Sequence, residues 1–145
     1  MRGFIITAFA LLIVACASAC AQAQEETVST NDFNGSWQNE SGSLVTFTIN
    51  EGEVHGTYQT NVGQPDKNQT FPLIGFVEGD QITFTVNFKG YGSMTAWVGQ
   101  MTLNEVGQPY IRTLWHLTRD KEDDKEKDDL WQSVITGASN FEAVK

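Results

Sequence analysis

The stretch QITFTVNF, residues 81–88, alternates apolar and polar side chains along its whole length. Because successive side chains of a β-strand point to opposite faces, this alternation is typical of a strand with one buried face and one solvated face. The stretch LVTFTIN, residues 44–50, repeats the pattern. Both stretches therefore predict half-buried antiparallel strands.

Similar short runs continue along the chain, separated by clusters of Gly, Asn, Asp and Pro. Connections as short as residues 51–52 suit hairpins between sequence neighbours, and no helical stretch is long enough for a crossover. The predicted fold is all-β, an eight-stranded antiparallel up-and-down β-barrel, with a two-sheet sandwich as the alternative. We expect its strands at residues 35–39, 44–50, 54–60, 71–77, 81–88, 95–103, 110–118 and 131–142.

The first 23 residues have the composition of a secretory signal peptide, with Arg2 before an apolar run and AQA at residues 21–23. We expect a flexible arm at residues 24–31 and the barrel domain at residues 32–145. Both cysteines lie in the leader, so the mature chain would have no disulfide. IVAC at residues 13–16 also resembles a bacterial lipobox. The prediction is a secreted protein, extracellular or periplasmic, with no membrane attachment unless Cys16 is lipidated.

The formal net charge of -9 becomes one unit more negative if Arg2 leaves with the leader. Such acidity opposes binding to nucleic acid or anionic lipid, and the charged run at residues 119–129 is predicted to be a solvated loop. His55 and His116 lack Cys or carboxylate neighbours at ligand spacing, so no metal site is predicted. No catalytic triad is recognisable either, which argues against an enzyme.

Uncharged polar and aromatic residues recur two positions apart on several predicted strands, which places each pair on one strand face. An eight-stranded barrel has room inside for a packed core or for one small ligand. The pattern suits a pocket that holds a ligand without transforming it. Its members are Asn39, Ser43, Tyr58, Thr60, Ser93, Thr95, Trp97, Trp115 and Leu117.

Four motifs in order resemble the avidin and streptavidin family: GSWQNESGS at residues 35–43, GTYQTNVG at 56–63, SMTAWVGQ at 93–100 and WHLT at 115–118. The resemblance covers residues 32–145. It implies high-affinity, non-catalytic binding of biotin inside the barrel, which would sequester biotin outside the cytoplasm, and no cofactor. The alternatives are a secreted interaction protein resembling a protease inhibitor, acting through its loops, and a small hydrolase, for which the predicted interior lacks a nucleophile.

The resemblance also implies a role for each matching residue. Thr60 would accept a hydrogen bond from a ureido NH of biotin, Ser93 and Thr95 would serve the valerate carboxylate and the ring sulfur, and the loop of residues 61–63, including Val62, would offer backbone N–H groups to that carboxylate. The donors to the ureido oxygen would be Asn39, Ser43 and Tyr58, and the walls would be Phe88, Trp97, Trp115 and Leu117.

Two positions depart from the family pattern. Phe88 stands where the family usually has Trp, which keeps an aromatic wall. Ser139 stands where the family has the Asp or Asn that accepts the other ureido NH, and it is a weaker acceptor than a carboxylate, so the expected affinity is below the family maximum. A bulge in the last strand would instead turn Asn140 inward.

Two tryptophans outside the pocket pattern have other expected roles. Trp131 matches a family Trp that reaches across a subunit interface and covers the neighbour's ligand, which implies a homotetramer, with a dimer as the alternative. Trp37 is expected to be a structural residue of the barrel floor, and Ser41 a residue of the pocket rim.

Overall fold

In the computed structural model, which describes residues 29–144, eight antiparallel strands close into one barrel. Each strand pairs with its sequence neighbours, and the last strand returns to the first. The predicted up-and-down barrel is therefore confirmed, and the two-sheet sandwich is excluded. The strands are β1 (Gly35–Asn39), β2 (Leu44–Asn50), β3 (Glu53–Gln59), β4 (Thr70–Glu78), β5 (Gln81–Phe88), β6 (Ser93–Leu103), β7 (Pro109–Arg119) and β8 (Val134–Ala143).

The boundaries differ from the predicted ones mainly around the charged run. The run contains one short helix, α1 (Glu126–Asp129), followed by a 3-10 helix at Leu130–Gln132, so β8 begins at Val134 instead of residue 131. Lys125 forms an ion pair with Glu122 three residues earlier, a spacing that supports a helical turn. A second 3-10 helix, Thr30–Phe33, begins inside the predicted arm. The predicted signal peptide, both cysteines and residues 24–28 lie outside the described residues.

The alternation in β5 appears as predicted, since Ile82, Phe84, Val86 and Phe88 are buried and the residues between them are exposed. Burial of such side chains supplies the main driving force for closing the barrel. Trp37 is 2% exposed, and its Nε1 donates a hydrogen bond to the carbonyl oxygen of Phe33 at 2.9 Å. It is therefore a core residue, as the sequence predicts.

The two ends of the barrel differ in the length of their connections. One end carries the short turns at residues 51–52, 79–80 and 104–108. The other end carries the connections at residues 40–43, 60–69, 89–92 and 120–133, two of which are much longer. Loops of that size at one end of a rigid barrel are where binding residues usually lie. Within residues 29–144, no helix is long and apolar enough to cross a membrane.

Candidate ligand-binding cavity

A cavity of about 740 Å³ opens at the barrel end that carries the longer connections. This volume lies in the range of small-molecule sites. Twelve of the thirteen residues predicted from the sequence to bind the ligand line it. They are Asn39, Ser43, Tyr58, Thr60, Val62, Phe88, Ser93, Thr95, Trp97, Trp115, Leu117 and Ser139.

The inner part of the cavity combines buried polar side chains with aromatic walls. Five of its polar residues, Asn39, Ser43, Thr60, Thr95 and Ser139, are buried, and none carries a charge. Among the described residues, the charged members of the lining are Arg119 and Asp120, and both are exposed. The cavity therefore has a neutral interior and a charged mouth.

The turn between β1 and β2 orients two candidate donors. The Oδ1 atom of Asn39 accepts hydrogen bonds from the backbone nitrogens of Ser41 at 3.1 Å and Ser43 at 2.9 Å. This leaves the side-chain NH2 group of Asn39 as the end that can donate. The Ser43 Oγ accepts from the backbone nitrogen of Asn61 at 3.0 Å, so its own hydrogen is directed to the cavity side, where Tyr58 is its neighbour and a ligand oxygen could compete for it.

Thr60 differs from these donors, because its hydroxyl hydrogen is already used within the chain. Its hydroxyl donates to the carbonyl oxygen of Val62 at 2.9 Å and accepts from the nitrogen of Val62 at 3.2 Å. Because its hydrogen is committed, its remaining lone pair can act only as an acceptor. The N–H of Val62 is thus bonded to Thr60, and the N–H of Asn61 is bonded to Ser43. Of the loop at residues 61–63, only the N–H of Gly63 makes no hydrogen bond within the described chain.

Tyr58 is the third candidate donor. Burial raises the pKa of Tyr58 above its ordinary value of 10.0, the Ser43 side chain partly opposes the rise, and the negative charge of Glu40 adds to it. The phenol therefore keeps its proton throughout the neutral pH range. It can donate that hydrogen to an acceptor in the cavity.

Two buried polar atoms in the lining have no hydrogen-bond partner in the described chain: the Thr95 Oγ1 and the Trp97 Nε1. A buried polar group without a partner costs about 1 to 3 kcal/mol. Both residues belong to the lining of the cavity. The lining of the cavity is therefore partly polar and differs from a packed apolar core.

The aromatic walls are held by contacts with the core. Trp97 lies between Phe84, whose ring is stacked on it at 4.8 Å, and Tyr58 at 5.0 Å. Trp115 lies against the backbone of Gly137, its partner in the β7–β8 pair. A Cβ atom at Gly137 would lie 2.2 Å from the Cζ2 of Trp115, so only glycine leaves room for this ring.

The structure places the side chains of Ser139 and Asn140 on opposite faces of β8. The pairing of β7 with β8 runs without a bulge through Thr113–Ser139 and Arg112–Asn140. Ser139 therefore faces inward and is 7% exposed, whereas Asn140 is exposed and its backbone nitrogen donates to the Oε2 of Glu40 at 3.0 Å. The prediction that Asn140 lines the pocket is wrong, because an uninterrupted register places neighbouring side chains on opposite faces.

Trp131 is 77% exposed and does not line the cavity of its own chain. Several lining residues were not identified as site residues from the sequence. Arg119 shares the strand face of Trp115 and Leu117, so strand parity could have identified it. The loop and turn residues carry no such periodic signal. Ser41, expected at the rim, and Gly63, part of the loop expected to bind the carboxylate, also line the cavity. The lining residues without such an expectation are Gln64, Pro65, Tyr91, Gly92, Arg119 and Asp120.

No group of three or more His, Cys, Asp or Glu residues that could hold a metal ion occurs among residues 29–144. The polar groups that face the cavity are neutral donors and acceptors, together with one guanidinium and one carboxylate at the mouth. Such a set binds through hydrogen bonds and apolar contact.

A sequence model of the Avidin family matches residues 27–144, a span that includes all eight strands. Avidin-related protein 4/5 of Gallus gallus is 30% identical over 138 residues, which cover 90% of each protein. The structure of the biotin binding protein from chicken has a TM-score of 0.69 and 29% identity, with 79% of this chain and 97% of that chain covered. The rhizavidin–biotin complex has a TM-score of 0.64 and 28% identity, with 76% and 98% covered.

Proposed function

This chain belongs to the avidin family, a family of non-catalytic binding proteins, and we propose that it binds biotin in the barrel cavity and leaves it chemically unchanged. The observation that carries the proposal is a buried, uncharged set of polar groups inside an aromatic cavity. Hydrogen bonds within the chain already determine which of these groups can donate to a ligand and which can accept from it. Biotin offers the matching chemistry, with one ureido oxygen, two ureido NH groups and an apolar ring and tail.

The three donors Asn39, Ser43 and Tyr58 would share the ureido oxygen. Hydrogen bonds in a site that excludes water are stronger than in solvent, and several donors aimed at one carbonyl polarise it. Thr60 would accept from one ureido NH, which is consistent with its committed hydrogen. Ser139 would accept from the other.

The remaining contacts would follow the apolar parts of the ligand. Phe88, Trp97, Trp115 and Leu117 would enclose the fused rings and the alkyl tail, and burial of such surface contributes about 25 cal/mol per Å². The unpartnered hydroxyl of Thr95 would face the ring sulfur. Ser93 would lie nearer the carboxylate.

An interaction protein that acts through its loops is the weaker candidate. Such a barrel would be expected to pack its interior with apolar side chains. Here the interior holds buried polar atoms that no described residue satisfies, at Thr95 and Trp97. The alternative does not account for the buried polar residues that line the cavity, whereas a polar ligand would bind them.

We also propose that the chain is exported after removal of residues 1–23 and sequesters biotin outside the cytoplasm. Mass spectrometry of the mature N-terminus tests this directly. A diacylglyceryl group on Cys16 would contradict the soluble form. The assembly proposed for the mature chain is a homotetramer, with a dimer as the second candidate, and Trp131 would cover the ligand of a neighbouring subunit.

Titration calorimetry with biotin, accompanied by tryptophan fluorescence, tests the binding proposal. We expect Ser139→Ala to weaken binding by about two- to tenfold, the effect of one lost hydrogen bond. Asn140→Ala is the matched control, since it changes the next residue on the outer face and should leave the affinity unchanged. Absence of binding by the unaltered chain at micromolar protein concentration would refute the proposal.

A further inference from the structure

Arg119 is the one cation among the described residues that line the cavity. It lies on the face of β7 that also carries Trp115 and Leu117, at the exposed outer end of the strand. Its guanidinium takes part in none of the ion pairs within residues 29–144. The whole chain has a net charge of -9, which repels an anionic ligand. The positive charge of Arg119 opposes that repulsion at the mouth of the cavity.

Three paired positions on β6 and β7 form a graded wall from the interior to the mouth. Trp97 pairs with Trp115, Thr95 with Leu117, and Ser93 with Arg119. The wall thus changes from aromatic, through mixed, to polar and charged over four residues, which corresponds to about 13 Å along a strand. A ligand whose rings lie between the tryptophans, and whose tail runs outward, brings the end of that tail to Ser93 and Arg119.

The neutral donors at the mouth are fewer than the sequence motif suggests. The N–H groups of Asn61 and Val62 are bonded to Ser43 and Thr60, which leaves Gly63 as the free N–H of this loop. A carboxylate has about four acceptor sites on its two oxygens. A guanidinium presents five N–H donors in a planar fork that matches a carboxylate, and it can meet this demand.

The backbone at Arg119 is fixed on both sides. Its nitrogen donates to the carbonyl oxygen of Ser133 at 2.7 Å, and the nitrogen of Asp120 donates to the carbonyl oxygen of Gly92 at 2.7 Å. A Cβ atom at Gly92 would lie 3.1 Å from the Cβ of Asp120, so glycine permits this close approach. The root of the Arg119 side chain is therefore held in place at the mouth.

We infer that Arg119 determines specificity by binding the free carboxylate at the end of the ligand's tail, so that the cavity prefers acids over their amides. This inference rests on the proposed binding of biotin. Asp120 also lines the mouth and opposes an anion, but it follows the end of β7, and no ion pair among the described residues joins it to Arg119. Because both groups are exposed, the preference is severalfold in size.

The test compares the affinities of biotin and of its neutral primary amide, each measured by competition, for three forms of the full chain. In Arg119→Gln the cation at the mouth is lost. In Arg112→Gln, the matched control, an exposed arginine on the outer face of the same strand is replaced with the same change of net charge. We expect Arg119→Gln to weaken biotin by about two- to fivefold and to leave the amide unchanged, while Arg112→Gln changes neither. The effect should vanish at about 1 M salt.

The outcomes separate this inference from the proposed function. If Arg119→Gln weakens both ligands equally, or neither, the carboxylate contact is refuted while biotin binding stands. If Arg112→Gln weakens biotin as much as Arg119→Gln does, the effect is long-range charge and the contact is again refuted. If the unaltered chain binds neither ligand, the proposed function fails and this inference fails with it.

Discussion

The hydroxyl of Ser43 serves both the fold and the proposed ligand. Its oxygen accepts the N–H of Asn61 and so holds the start of the β3–β4 connection, while its hydrogen is not used by that bond. Asn39 has the same division, with its Oδ1 bonded to the turn and its NH2 group free. Because hydrogen bonds within the chain already fix the positions of these two side chains, a ligand loses little free energy in ordering them.

The raised pKa of Tyr58 makes the free energy of unfolding depend on pH in a known direction. Its pKa in the folded chain lies above 10.0, the value expected for an unfolded chain, so the folded state holds the phenolic proton more tightly. Its contribution to the free energy of unfolding is fully present below about pH 10 and is lost as the pH rises through the folded pKa. We expect the free energy of unfolding to fall over this range, and to fall less in Tyr58→Phe.

Denaturant unfolding between about pH 8 and about pH 12 measures the effect. Tyr110→Phe is a suitable control, since Tyr110 is half-buried at the start of β7 and does not line the cavity. An identical pH dependence in Tyr58→Phe and in the unaltered chain would contradict the assignment.

At the scale of the strands, β7 and β8 build the inner part of one side of the cavity together. The Trp115 ring occupies the space above the backbone of Gly137, and the next inward position of β8 is Ser139. The position of an aromatic wall and that of a polar acceptor are thus coupled through one strand pair. A change at Gly137 should affect both.

Gly137→Ala should displace the Trp115 ring, because the added methyl group would overlap it. Overpacking of this kind costs about 1 to 3 kcal/mol of the free energy of unfolding. We expect weaker biotin binding and a changed tryptophan signal in near-ultraviolet circular dichroism. Thr136→Val is the control, since Thr136 precedes Gly137, is exposed on the outer face and nearly matches valine in volume. Stability and affinity equal to those of the unaltered chain would show that the ring can move without cost.

At the scale of the whole molecule, the outer surface of the barrel carries an apolar area that a monomer leaves exposed. Strand pairing aligns Phe76, Thr83, Val98, Leu114 and Ala138 in one row across β4 to β8. Phe76, Val98 and Leu114 are 66%, 62% and 66% exposed, and the row contains no charged residue. Exposed apolar areas of this kind mark protein interfaces, which supports the proposed assembly.

Val98→Glu should separate the subunits, since it would bury an unpaired charge in the interface. Native mass spectrometry and light scattering measure the change, with a homotetramer expected for the unaltered chain and a smaller species for the variant. Val106→Glu is the control, because Val106 is 76% exposed in the turn between β6 and β7, away from the row. Equal masses for Val98→Glu and the unaltered chain would show that this row is not the interface. A dimeric unaltered chain would favour the second candidate.

Local patterns in the sequence were enough to predict the strands, their order and the inward faces of most pocket positions. Alternation with period two is a local property, legible in residues 81–88, and short turns force neighbouring strands to pair. For the same reason, the spacing of Ser93, Thr95 and Trp97 is enough to assign all three to one strand face. Trp37 was predicted to belong to the core and lies there.

The choices that depend on contacts between distant parts of the chain required the tertiary structure. The register of β8 against β7 turned Ser139 inward and Asn140 outward, and a local pattern cannot reveal a bulge or its absence. The bond from Asn61 to Ser43, 18 residues apart in sequence, removed a backbone donor from the mouth. Arg119 lies one residue beyond the predicted end of β7, and its pairing with Ser93 extends the strand and places this cation beside the turn that precedes β6. Hydrogen-bond partners and register are set by pairing across the sheet, and a local pattern of residues does not reveal that pairing.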